Sequence, residues 1–319
     1  MKLAFDFGGF LKLSGLTLFA LAATLPLAAS TLTVTNLLDS GSGSLRAEIA
    51  AASNGDTIAF LVSGVISLSN PLDIGTSLTI NGSGIAIKGN ASGTIFDVTG
   101  SASDVFSNLT LANATDAISG SSNASVSLLD STISGGGAGL VGINATVTNS
   151  TFSGNTVAIN GGIVSLYDST ISGGSFGIEN TSLTIGNSII FGNTTDVGSG
   201  NTVTDSGNNL IGSGGGLFVN GTNGDLVGVS PNLGPLANNG GPTLTYSLLA
   251  GSPAIDAGNN AIIPAGITTD QRGAGFNRIS GSTVDIGAYE VQQTQTPEPA
   301  TYVTCLLGFG MGAWWLRKR

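Results

Sequence analysis

The sequence predicts an all-β fold, a single-stranded parallel β-helix with coils of about 19 residues, an N-terminal capping helix and an irregular C-terminal cap. Three observations predict it. First, one short motif recurs at steps of 19: Asp130-Ser131-Thr132-Ile133-Ser134, Asn149-Ser150-Thr151-Phe152-Ser153, Asp168-Ser169-Thr170-Ile171-Ser172 and Asn187-Ser188-Ile189-Ile190-Phe191. Second, apolar columns keep the same step, among them Val126/Ala145/Val164/Leu183 and Leu128/Val147/Leu166/Ile185. Within a repeat the apolar residues alternate, which is the period of a strand. Third, the chain holds 50 Gly in 319 residues and few charged residues, 9%. Helix formers are scarce, and Gly columns such as Gly135/Gly154/Gly173/Gly192 suit repeated sharp turns.

The first element is an address. Residues 1–30 read as a secretory signal: Lys2 and Lys12, a short apolar run over 16–25, then Ala28-Ala29-Ser30 for cleavage. Residues 43–53 are the one convincing helix of the body. Ser42 or Ser44 is placed to cap it, Leu45, Ile49 and Ala52 share a face, and it is expected over the N-terminal end of the core. Strand patterns run from about residue 77 through the repeats to about 212, enough for eight to ten coils across 31–230. Residues 231–291 lose the repeat and gain Pro, as a closing segment would. A polar spacer and Pro297-Glu298-Pro299 fill 292–299, and residues 300–316 carry no charge before Arg317-Lys318-Arg319. Seventeen helical residues reach about 25 Å, close to a membrane span, and the basic triplet should stay cytoplasmic.

Both ends and the body resemble known families. The order Pro-Glu-Pro, apolar helix, basic tail resembles the PEP-CTERM sorting signal of Gram-negative bacteria. That resemblance implies an exosortase-type partner that removes the tail, membrane attachment before processing, and delivery to the cell surface, outer membrane or matrix. Pro297, Glu298, Pro299, Arg317, Lys318 and Arg319 are its matching residues. Residues 31–64, with their Gly-Ser-Leu-Arg helix start, resemble the opening of secreted bacterial, pectate-lyase-like β-helix proteins. Residues 231–243, 251–258, 270–273 (Asp-Gln-Arg-Gly) and 284–290 (Val-Asp-Ile-Gly-Ala-Tyr-Glu) resemble the choice-of-anchor Q closing module. The resemblance implies a right-handed coil and an exported surface protein. It implies no established reaction, and where members often carry His this chain has Tyr246.

Composition narrows the chemistry. There is no His and a single Cys, Cys305, so Ser-His-Asp and Cys-His catalysis and disulfide or zinc frameworks are excluded. The net charge is −10, and no Lys or Arg falls between Lys88 and Arg272, where eleven Asp and Glu residues do. Such a surface repels nucleic acid. Asp130 and Asp168 stand two coils apart, within the reach of an inverting carboxylate pair. Their alternation with Asn149 and Asn187 favours a structural ladder at a corner instead, because an amide replaces neither acid nor base. No catalytic residue and no cofactor is assigned, and calcium is the only cofactor that the acidic residues leave open. Lyase chemistry needs clustered acids and a nearby base, and the acids read as scattered. The leading expectation is therefore a non-catalytic surface or matrix protein that presents a Ser/Thr/Asn face to polysaccharide. A carbohydrate-active lyase or glycoside hydrolase and an adhesin are the alternatives.

Overall fold

A computed structural model describes residues 29–90 and 93–293. The expected signal peptide up to residue 28 and the expected sorting signal from 294 onward lie outside the described residues. Among the described residues no helix is long and apolar enough to cross a membrane.

Among the described residues the repeats close into a right-handed parallel β-helix with three sheets of nine, nine and seven strands. A representative coil runs through Ile163–Tyr167, turns at Asp168, continues through Thr170–Ser172, turns at Gly173, and ends in Phe176–Glu179. These strands belong to what we term the first, second and third sheets. Seven coils carry a strand in all three, starting with Thr57–Phe60 and ending with Thr195–Val197. Eight to ten coils are expected from the pattern. The remaining strands of these three sheets, Thr31–Val34 at one end and Thr202–Gly207, Leu210–Ile211 and Leu226–Val227 at the other, belong to coils left open by the caps.

The 19-residue step works because each strand pairs in register with its counterpart one coil on. Leu128, Val147, Leu166 and Ile185 lie in successive register and are fully buried. The second sheet stacks Leu111, Ile133, Phe152, Ile171, Ile190 and Ile211 in the same way. The third stacks Phe96, Ile118, Leu140, Ile159, Ile178 and Val197. One coil cannot bury its own apolar side, so the stack is the unit of stability. Asp104 breaks the rule at a fully enclosed core position: it stands in register with Val126 and is 1% exposed. Its Oδ1 accepts the Leu78 amide at 2.7 Å, its Oδ2 has no partner, and burial pushes the carboxyl up to about 6.

From Asn108 onward the corner between the first and second sheets is left-handed at every step. Asn108, Asp130, Asn149, Asp168, Asn187 and Asn208 all have φ between 47° and 56°. Asn and Asp tolerate this region better than other non-Gly residues, which explains the Asx column. The following serines form a second ladder that the sequence reading does not identify. The Ser131, Ser150 and Ser169 amides donate to the Oγ of Ser150, Ser169 and Ser188 at 3.3, 3.1 and 3.2 Å. Each of those hydroxyls donates back to the carbonyl two residues earlier, so the buried serine hydroxyls of the corner both donate and accept.

The N-terminal end is closed by the helix Leu45–Ala51, with Ser44 as its cap and Leu45 and Ile49 buried. Arg46 fastens it, reaching Asp39 at 2.7 Å and the carbonyls of Asn70 and Pro71. The C-terminal end is closed by residues 213–224, where Phe218 joins the main core. The closing segment from 231 onward is irregular, as its loss of repeat predicts, but it does not sit on the end of the rod. It turns back and runs along the flank, over the Asx corner and the second sheet.

Candidate functional site

Three surfaces hold chemistry-bearing residues, and the fold treats the first two oppositely. At the Asx corner the closing segment covers the ladder. Asn149 Nδ2 donates to Asp130 Oδ1 at 3.3 Å and to the Thr269 carbonyl at 2.8 Å. Asn187 Nδ2 donates to Asp168 Oδ1 at 3.1 Å and to the Asn259 carbonyl at 3.0 Å. Its Oδ1 takes the Asn259 amide at 2.9 Å. The Thr243 hydroxyl donates to the Asp130 carbonyl, and Gln271 is fully buried among Ser131, Thr132, Thr151 and Thr243.

The same seam contains the buried ion pairs of the closing segment. Arg272 grips Asp270 at 2.6 Å and lies between the rings of Phe276 and Tyr289, 3.9 and 3.8 Å from their centroids. Arg278 pairs with Glu290 at 3.1 Å and donates to the Asn149 side chain and the carbonyls of Asp285 and Gly287. Burial pushes Glu290 up to about 7, with Arg278 pulling the other way. Burial also raises Asp130 to about 6, and the neighbouring Asp270 charge adds to that. Burial raises Asp168 too, against the pull of Arg278 and the Asn187 amide. Asp168 is fully buried and its Oδ2 has no hydrogen-bond partner. A general acid or base must meet substrate. Asp168 meets only protein, so an Asp130/Asp168 inverting pair is not available here. The sequence separates these groups by 72 to 140 positions, so only the motifs at 270–273 and 284–290 mark them in advance.

The outward face of the first sheet is the open surface. Its outward columns, exposed or half-buried, read Ser103, Ser125, Asn144, Ile163, Ser182, Thr202 and Val105, Ser127, Thr146, Ser165, Thr184, Thr204. No outward residue of this sheet from Thr79 to Ser206 is charged. A shallow groove of about 300 Å³ crosses it, lined by Ser103, Ser127, Asn144, Thr146, Ile163 and Ser165 among others. Ile163 is 65% exposed. Tyr167, half-buried, lies at the margin of the face, where it meets Ala261, Ile262 and Pro264 of the closing segment across a second groove of about 380 Å³.

The acids are not all scattered. Asp73 and Asp97 are register partners on adjacent strands of the third sheet, and the Ser119 hydroxyl donates to Asp97 at 3.3 Å. Their spacing of 24 falls outside the 19-residue step, which hides the pair in the sequence. Arg46 lines a small cavity with Asp73 but is already bonded to Asp39 and two carbonyls. Among the described residues no group of three His, Cys, Asp or Glu is placed to hold a metal. Asp256, Asp270 and Asp285 instead serve the closing segment. Asp285 Oδ1 takes the Asp256 amide and Asp285 Oδ2 the Val291 amide, both at 2.7 Å.

No protein-family model matches the sequence, and no curated protein matches it. Among solved structures the chain is similar to Jun a 1, the major allergen of cedar pollen, at 15% identity and a TM-score of 0.43, over 58% of this chain and 65% of that one. It is also similar to pectate lyase Pel9A, at 17% identity and a TM-score of 0.36, over 83% of this chain and 98% of that one. Both are pectate-lyase-like right-handed β-helix proteins.

Proposed function

We propose that this chain is an exported, non-catalytic β-helix protein of the cell surface or extracellular matrix, and that it holds polysaccharide against the outward face of its first sheet. One observation carries the reading. In a chain of net charge −10, this face is uncharged and carries rows of Ser, Thr and Asn side chains at the strand spacing of about 4.8 Å. Hydroxyl and amide groups in register suit a ligand that is itself a row of hydroxyls. The protein is expected to co-sediment with insoluble polysaccharide and to release no oligosaccharide. A Thr146→Glu/Ser165→Glu variant, which puts two charges on the face, is expected to weaken binding at least tenfold. Unchanged binding in that variant would move the contact elsewhere.

A lyase or hydrolase is the second reading, favoured by the side-by-side Asp73 and Asp97 on the third sheet. Oligosaccharide release that disappears in Asp73→Asn/Asp97→Asn would establish it and sink the first.

The address rests on the resemblance of the tail to a PEP-CTERM signal and of residues 231–290 to a choice-of-anchor Q module. On that reading residues 1–30 direct export, 31–230 form the rod, 231–291 close it, 292–299 are the spacer and recognition motif, and an exosortase-type enzyme removes the helix of 300–319. A Pro297→Ala/Glu298→Ala variant should then stay in the membrane with its tail, and intact-mass measurement should show the longer chain. The same mature mass as the parent would reject the processing step.

A further inference from the structure

We infer that the groove between Tyr167 and the closing segment is a subsite for one neutral pyranose ring, with Tyr167 as its stacking platform. The inference rests on the polysaccharide-binding reading above and locates one contact within it. The groove lies where the 19-residue step fails. The first-sheet strands Ser182–Gly186 and Thr202–Gly207 are 20 residues apart, and their register shifts between Ile185 and Gly186. Gly186 pairs with Gly207, so Ser206 is the extra residue of a bulge, and its side chain lines the groove. Bulges re-aim side chains in this way.

The position next to Tyr167 on the adjacent strand is Gly186, and it has to be small. A Cβ there would lie 2.6 Å from Ile262 Cγ2 and 3.5 Å from Tyr167 Cδ1. The missing side chain admits Ile262, which with Ala261 and Pro264 makes an apolar wall beside the ring. Ser206 is exposed at the mouth. Tyr167 makes no side-chain hydrogen bond to another described residue, so its hydroxyl is free for a ligand. The volume, about 380 Å³, is at the lower end of what small-ligand sites enclose. An aromatic face, an apolar wall and the two hydroxyls of Tyr167 and Ser206 together match a pyranose ring, which has apolar C–H faces and a polar rim.

Charge selects the class. None of the lining residues is charged. Arg272 and Arg278, the cations of the closing segment, are 4% and 1% exposed and already paired. Nothing at the groove neutralises a uronate, and the net charge of −10 repels one. The subsite therefore takes uncharged sugars.

The full chain is to be titrated by calorimetry with hexaoses of β-1,4-linked glucose, mannose and xylose, and with a hexamer of galacturonate. Tyr167→Ala is expected to weaken the neutral hexaose that binds by tenfold or more, and Tyr167→Phe to retain it within about threefold. The unfolding temperatures of both variants show whether the fold is intact. Binding that Tyr167→Ala leaves unchanged, in a folded variant, overturns the subsite and leaves the polysaccharide reading standing. Binding of galacturonate alone overturns the neutral class. Failure to bind any of the four, together with no co-sedimentation, removes both proposals.

Discussion

Ile171→Asp is expected to abolish cooperative unfolding near ambient temperature, or to lower the midpoint by more than 10 °C. Ile171 is fully buried and stacks in register between Phe152 and Ile190. The substitution forfeits about 2–3 kcal/mol of aliphatic burial. It also leaves a carboxyl with no partner, for a total of about 4–6 kcal/mol. Whole domains have about 5–15 kcal/mol to lose. In a solenoid each coil is held by its neighbours, so the damage also unseats the two adjoining interfaces. Ser165→Asp is the matched control, because it lies in the same coil but points outward from the first sheet. It should shift stability by no more than about 0.5 kcal/mol. Thermal unfolding followed by far-ultraviolet circular dichroism distinguishes the two. Equal effects from both, or little loss from Ile171→Asp, would show that the second-sheet column is not the dry spine described above.

The spine was legible because its information is periodic. A constant step of 19 brings the same residue type to the same place four times, and alternation within the step separates inside from outside. The capping helix was legible for a local reason, a Ser followed by a short amphipathic run. It ends at Ala51 rather than at 53, where its residues turn to extended backbone. Legibility failed wherever the step varied. Successive first-sheet strands start 26 residues apart from Thr31 to Thr57, 22 from Thr57 to Thr79, and 22 from Ser103 to Ser125. Asp73 and Asp97 meet inside that irregular region, and Asp104 enters the core there. The closing segment failed differently. Its residues were recognisable as motifs, but its place depends on bonds such as Gln271 to Ser131 and Arg278 to Asn149, between residues 140 and 129 apart. No periodicity encodes such matches, and loss of repeat at a chain end suggests an end cap as readily as a flank. The burial of the corner ladder is not legible for the same reason, since what covers it lies 72 to 140 residues away.

Arg278→Ala is expected to release the closing segment while the rod survives. The guanidinium holds four groups: the Glu290 carboxylate at 3.1 Å, the Asn149 side chain, and two carbonyls. Its loss strands Glu290, which is fully buried, and removes the cation that offsets Asp168. Breaking a buried pair from one side costs about 3–5 kcal/mol. The penalty falls on the irregular segment, which is the part with the fewest ladder bonds, so the result is local opening rather than global collapse. Limited proteolysis should cut within 231–293, and amides such as Gly287, which donates to the Asn187 carbonyl, should exchange faster. The β-sheet signal should change little. The effect should also depend on pH, with a definite sign. Burial already raises Glu290 to about 7, so the folded state prefers the protonated acid. A raised acid contributes stability that is complete below its ordinary value near 4.5 and is lost as pH rises through 7. In the parent chain the segment should therefore be held more tightly at pH 5 than at pH 8. Without Arg278 the carboxyl rises further, so the deficit should be largest at pH 8 and should shrink in acid. Adding Glu290→Gln should recover part of the protection at pH 8, because a neutral amide in that place leaves no buried charge unpaired. Full protection of Arg278→Ala at pH 8 would mean that the hydrogen bonds of Asn149, Asn187 and Gln271 hold the segment without the ion pair.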